Sequence, residues 1–192
     1  MGALRPFFMG GVCDCAHFYF GSDDMRKKTR FLAHGAIIAA LYAVLTHMQN
    51  ILLPGSATWA IQFRLSEALC ILAFFTPAAI PGLTVGCLVF NLTYAAALPP
   101  DWLVGSMASF TAAMAMWKLR RVTIGKLPLA GLLMPALTNG ILVGWELTVY
   151  IGGAFWINAV YVAIGEAAVM LILGCGLYFA MKKRKLDQRL FG

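Results

Sequence analysis

The sequence is short of charge. Asp, Glu, Lys and Arg make up 12% of it, where soluble globular domains carry about 25%. Hydrophobic residues make up 61%. That balance excludes an ordinary soluble domain and points to an integral membrane protein. Acids are the scarcer charge, eight against fifteen Lys and Arg. Histidine numbers only three. His34 and His47 stand in an apolar run, where a lone imidazole is more often packed than ligating. Catalytic motifs are missing as well: the sequence holds no P-loop, no H-E-x-x-H and no nucleophile elbow. The chain is therefore expected to be no enzyme and to hydrolyse no nucleotide by itself. No cofactor, metal or nucleic-acid partner is expected either. Its five cysteines form no disulfide framework. Cys70, Cys87 and Cys175 fall in apolar runs, where a thiol behaves as a small hydrophobe, and Cys13-x-Cys15 has no second pair nearby.

What the sequence does have is apolar length. Six stretches run roughly over Phe31–Met48, Ile61–Phe75, Ala79–Leu98, Trp102–Leu119, Leu127–Ile151 and Phe155–Met181. A straight transmembrane helix needs about 20 residues. The second stretch is short and begins polar, and the last two are long enough to tilt or project. Residues 1–24 mix Phe, Gly, Cys and Asp without periodicity, and Met25 is followed at once by RKKTR. We expect 1–24 to be a disordered or over-annotated extension and 25–192 to be one membrane domain. Basic residues set the orientation. Four precede the first stretch (Arg26, Lys27, Lys28, Arg30), four lie between the fourth and fifth (Lys118, Arg120, Arg121, Lys126), and five follow the sixth (Lys182, Lys183, Arg184, Lys185, Arg189). Six spans place all three clusters on one side, which the positive-inside rule makes cytoplasmic. The fold expected is an all-α bundle of six transmembrane helices with both termini cytoplasmic, in the bacterial plasma membrane.

Several polar residues interrupt the apolar runs. A cluster of Gln62, Arg64, Ser66 and Glu67 opens the second stretch, and Asn91 closes the third. A charge at the bilayer centre costs roughly 2.5–3.5 kcal/mol on insertion scales, so intramembrane ionisable groups read as functional by default. Arg64 and Glu67 are three apart and can pair on a helix. The alternative is a structural ion pair that locks two helices. Asn139 and Glu146 are seven apart, within about 20° on one helical face, beside Trp145; Asn158 and Glu166 are about 80° apart on the next helix. These groups converge on the outer half of the bundle. Carboxylates, amides and rings suit a small, flat, polar ligand, neutral or cationic. The competing use is a proton relay in a stand-alone carrier of a small polar solute, although no His or Lys lies inside the last two stretches. Ala33, Ala36, Ala40 and Ala43 make a small-residue stripe on the first stretch. It serves packing inside the bundle or docking of another membrane protein. Gly82-x-x-x-Gly86 and Gly140-x-x-x-Gly144 read as internal close approaches, and Pro135 should kink the fifth stretch.

The stretch QFRLSEALCILAFFTPAAIPGLTVGCLVFN (62–91) and TNGILVGWEL (138–147) closely resemble the QueT family. The similarity runs from about Met25 to the basic tail. That family supplies substrate-binding (S) components of energy-coupling factor (ECF) transporters. The resemblance implies six transmembrane helices and uptake of a queuosine precursor, aminomethyl-deazaguanine or a related base. It also implies partnership with a membrane T component and two ATPase subunits. An Ala-x-x-x-Ala on the first helix touches the T component in S components, and here it maps to Ala36 and Ala40. A guanine-like edge offers adjacent N–H donors to a carboxylate, and an aminomethyl cation would want a second acid.

Overall fold

The computed structural model describes residues 11–54, 63–94, 97, 100–125 and 127–191, with the side chains of 11–23 outside that description. The chain divides into two compact units, residues 1–33 and 34–192. Every regular element among the described residues is helical, apart from one antiparallel bridge between Ile124 and Leu127. The helices are α1 (Gly11–Leu52), a 3₁₀ segment (Leu65–Phe74), α2 (Ala79–Thr93), α3 (Asp101–Leu119), α4 (Leu129–Leu132), α5 (Met134–Tyr150), α6 (Phe155–Val169), α7 (Cys175–Lys183) and α8 (Leu186–Phe191). A π turn, Met170–Gly174, joins α6 to α7 without a break. Residues from Gly11 onward are thus helical, including part of the stretch the sequence sets apart as an extension. In the first unit an exposed Lys28–Asp24 pair, 2.7 Å apart, spans one helical turn.

Three helical runs are long and apolar enough to cross a membrane: Asp24–Leu52, Leu129–Tyr150 and Phe155–Lys183. The other three expected stretches form helices of 10, 15 and 19 residues. The second run breaks at Leu133, between α4 and α5, with Pro135 in the first turn of α5. Proline has no N–H to continue the ladder, so the expected kink lies just before it. The α5–α6 turn needs two residues of positive φ, and Gly152 (φ 97) and Gly153 (φ 90) provide them.

The 3₁₀ segment sits at the centre. Eight of its ten residues are buried, as expected of a helix apolar nearly all round. A 3₁₀ helix rises about 2.0 Å per residue against 1.5 Å for an α-helix, so ten residues reach as far as about thirteen helical ones. Its C-terminal half packs Ile71 and Phe74 into the main core with Ile38, Leu83, Met116, Leu132, Met170 and Tyr178. Two glycine pairs bring helices into near contact. A Cβ on Gly82 would lie 2.7 Å from Gly35 O, and one on Gly86 would lie 2.7 Å from Tyr42 Cβ, so α2 presses on α1. A Cβ on Gly144 would lie 2.7 Å from Ala159 Cα, and Gly140 faces Ala163, so α5 presses on α6. Small residues at a crossing let dispersion contacts form where lipid gives no hydrophobic drive.

The ends of this second unit differ. Trp117, Leu127 and Leu129 pack into the same cluster as Tyr178, Met181, Leu186 and Phe191. The C-terminal turns of α3 and α7, with their basic residues, therefore share one end. There Arg120 lies over Trp117, 3.4 Å from the ring centroid, and Lys182 pairs with Asp187 at 3.0 Å. Asp101 starts α3, about 26 Å from Lys118 along the helix axis, at the opposite end.

Candidate functional site

Arg64 does not stand on a shared helical face with Glu67. It is the extended residue at the N-cap of the 3₁₀ segment (φ −81, ψ 101). The side chain of Gln49, from α1, fixes this entry. Its amide Nε2 donates to Phe63 O, and its Oε1 accepts from Leu65 N at 2.7 Å. Arg64 is buried, and its Nη1 reaches Cys87 Sγ at 3.9 Å. A Cβ at Gly105 would lie 3.9 Å from Arg64 Nη1 and 2.7 Å from Asn91 Nδ2, so the absent side chain at Gly105 leaves room for both.

Glu67 is fully buried and both its oxygens are occupied. Tyr42 Oη donates to Oε1 at 2.5 Å, and Cys70 Sγ donates to Oε2 at 3.0 Å. The thiol contact follows from the helix type: in a 3₁₀ helix side chains at i and i+3 eclipse. Ser66 Oγ lies 2.7 Å from Thr46 Oγ1, a second polar stitch between α1 and the 3₁₀ segment.

Glu146 and Glu166 are equally buried but differently served. Each has 0% relative exposure, and among the described residues the one hydrogen-bonding side chain recorded beside either is the carboxyl of Asp101, next to Glu146. Asn139, one face of α5 with Glu146, is buried too, and its Nδ2 lacks an acceptor. Glu166 lies within Coulombic range of Glu67 and Arg64, and Glu146 within that of Arg64. Beside Glu146 lies the carboxyl of Asp101, in the first turn of α3. The fourth apolar stretch of the sequence begins only at Trp102, yet the structure also buries Asp101, at 8% exposure. Only its position after Pro99-Pro100, at the head of an apolar run, hints at a helix start. Asn91 contributes by position, with Nδ2 donating to Asp101 O at 2.8 Å and to Cys87 Sγ at 3.5 Å. The buried charged residues of the described chain are thus one guanidinium, Arg64, and four carboxyl groups: Glu67, Asp101, Glu146 and Glu166.

Two expected residues stand apart from this group. Trp145 is 53% exposed on the outside of α5, because residues adjacent in a helix point about 100° apart and Glu146 takes the inward direction. Asn158 ties the α5–α6 turn, with Nδ2 donating to Gly152 O and Thr148 Oγ1, both at 3.0 Å. Gln62 lies outside the described residues. Ala36 and Ala40 are exposed on α1, whereas Ala43 of the same stripe is buried. The stripe therefore twists from an outer face into the core. No group of three metal-ligating side chains occurs among the described residues.

The sequence profile of the QueT transporter family matches residues 32–183. The chain belongs to the QueT transporter family. The buried polar group and the three apolar helices are accordingly features of a multi-pass membrane protein of a transport family. A queuosine precursor transporter QueT of Lactococcus lactis subsp. cremoris is 39% identical over 66 residues, which cover 34% of this chain and 38% of that relative. The matched part thus spans well under half of the relative's length. No solved structure matches this QueT-family chain.

Proposed function

We propose that this chain is the substrate-binding membrane subunit of an ECF-type importer, and that it takes up a queuosine precursor, aminomethyl-deazaguanine or a related base. The observation that carries this reading is the unserved set Glu146, Glu166 and Asn139. Buried polar groups are nearly always hydrogen-bonded, and each exception calls for an explanation. A ligand with several N–H donors answers all three at once. The excess of four carboxyl groups over one guanidinium favours a cationic ligand over a neutral or anionic one. In this reading Glu67, already occupied by Tyr42 and Cys70, holds the scaffold and positions Arg64. Asn91 lines the approach, while Trp145 and Asn158 support the surrounding helices.

The proposed topology is six membrane-crossing segments with both termini cytoplasmic. The basic end of α3 and α7 then faces the cytoplasm by the positive-inside rule, and Asp101 and Glu146 lie toward the outside. No motif for nucleotide hydrolysis occurs in the sequence, so energy would come from two ATPase subunits through a T component. The exposed Ala36 and Ala40 are the proposed docking groove for that partner. The test is thermal stabilisation of the purified chain by deazaguanines. A rise in the unfolding temperature with the aminomethyl base supports the reading, and no shift with any of them counts against it. A stand-alone proton-coupled carrier is the second reading, favoured by the two unserved intramembrane glutamates. Solute uptake into liposomes that contain this chain alone, driven by a pH gradient, distinguishes it.

A further inference from the structure

Glu166 and Asn139 are 0% and 3% exposed, and among the described residues Glu166 Oε1, Glu166 Oε2 and Asn139 Nδ2 have no hydrogen-bond partner. The register of α5 on α6 brings the two side chains to one level. Gly144 meets Ala159 and Gly140 meets Ala163, so the helices run antiparallel. Val143 and Val162 belong to one buried cluster with Ala108 and Leu147. Asn139 is four residues from Val143, and Glu166 is four from Val162, each on the same helical face as its valine. In antiparallel helices these two steps run the same way, here away from the Gly152–Gly153 turn. The amide and the carboxylate therefore share one depth, about 6 Å below the valine layer. Glu146, with Asp101 beside it, lies on the other side of that layer. Glu67 already accepts from Tyr42 and Cys70. Glu166 is thus the buried acid with both oxygens open.

Two acceptors beside one donor make a pattern, and a guanine-type edge is its complement. That edge presents the 2-amino N–H, the ring N–H and the 6-oxo oxygen in a row. On the proposed reading of a deazaguanine as substrate, we infer that Glu166 and Asn139 read this edge. Glu166 accepts from the 2-amino group and the ring N–H in parallel, and Asn139 Nδ2 donates to the oxo oxygen. The pair is then specificity-determining, and it selects bases that carry the 2-amino group. Hydrogen bonds to a carboxylate are charge-assisted and belong to the stronger class. A base without the 2-amino group leaves one buried oxygen unmet, so the atoms that hold the right base also reject the wrong one. A merely structural Glu166 would change folding, or the affinity for every base alike.

The experiment is calorimetric titration of the purified full chain with two probes, 7-aminomethyl-7-deazaguanine and 7-aminomethyl-7-deazahypoxanthine, which lacks only the 2-amino group. Wild type, Glu166→Gln and Glu146→Gln are compared. Wild type should prefer the deazaguanine about ten- to a hundredfold, the range for one hydrogen bond to a charged group. Glu166→Gln should bind the deazaguanine more weakly and bring that ratio close to one. Glu146→Gln should weaken both bases and keep the ratio. If Glu166→Gln does not yield folded protein, Glu166→Asp, which withdraws the carboxylate by one methylene, is held to the same outcome. A ratio unchanged in the Glu166 variant overturns the inference, because the 2-amino group is then read elsewhere. Wild type that binds both bases equally overturns it while the substrate reading stands. Wild type that binds neither base overturns both.

Discussion

Glu67 and Glu146 present the same carboxyl group in opposite circumstances. Both are fully buried, but Glu67 accepts from Tyr42 and Cys70 while Glu146 has another acid, Asp101, beside it. Substitutions should separate the two. Tyr42→Phe removes the phenol that serves Glu67 Oε1 and strands a buried oxygen, which costs about 1–3 kcal/mol. We expect a lower unfolding temperature in detergent, measured by differential scanning fluorimetry. Glu146→Gln should instead keep the unfolding temperature of the ligand-free protein. Its ligand affinity should fall, because losing one charge-assisted hydrogen bond is worth roughly 1.5–3 kcal/mol, or about ten- to more than a hundredfold. Unchanged affinity in a folded variant would remove Glu146 from the site. The sequence makes the three glutamates stand out, since few acids are present and these interrupt apolar runs. It cannot assign their partners. Tyr42 meets Glu67 across 25 residues of chain, and Asp101 meets Glu146 only because α3 and α5 pack together.

At the scale of elements, helix existence is legible and helix type is not. Apolar length and the Pro135 break mark α5, and the Gly-x-x-x-Gly pairs mark the crossings that bring α2 to α1 and α5 to α6. The 3₁₀ winding of Leu65–Phe74 and the π turn at Met170–Gly174 have no local sequence signature, because packing on neighbours imposes them. The Arg64–Glu67 spacing misleads for the same reason: it suggests a shared face, but Arg64 lies outside the helix. The crossings predict a sharp cost. Gly86→Ala would place a methyl 2.7 Å from Tyr42 Cβ and 2.8 Å from Ala39 O. Overpacking of this kind costs typically 1–3 kcal/mol. Circular dichroism melts should show the loss. A melt unchanged from wild type would mean that α1 and α2 separate at little cost.

At the scale of the whole molecule, the proposed binding and coupling surfaces are different. The carboxyl group and Asn139 face inward, whereas Ala36 and Ala40 face outward on α1. Packing of helices in lipid rests on close van der Waals contact, so a bulky residue in a docking groove is not easily accommodated. Ala36→Trp or Ala40→Trp should leave ligand binding by the isolated chain intact. The same variants should abolish ATP-driven uptake by the assembled complex and reduce recovery of the T component in co-purification. Loss of ligand binding in these variants would place the stripe inside the bundle instead.

The central claim is that the unserved buried carboxylates bind a cationic deazaguanine. Its most direct test is the affinity of the purified, folded chain for 7-aminomethyl-7-deazaguanine, measured calorimetrically with wild type and with Glu146→Gln side by side. Saturable binding by wild type, weakened about tenfold or more in Glu146→Gln, is the predicted result. No binding by folded wild type, or equal affinity in the two proteins, would contradict it.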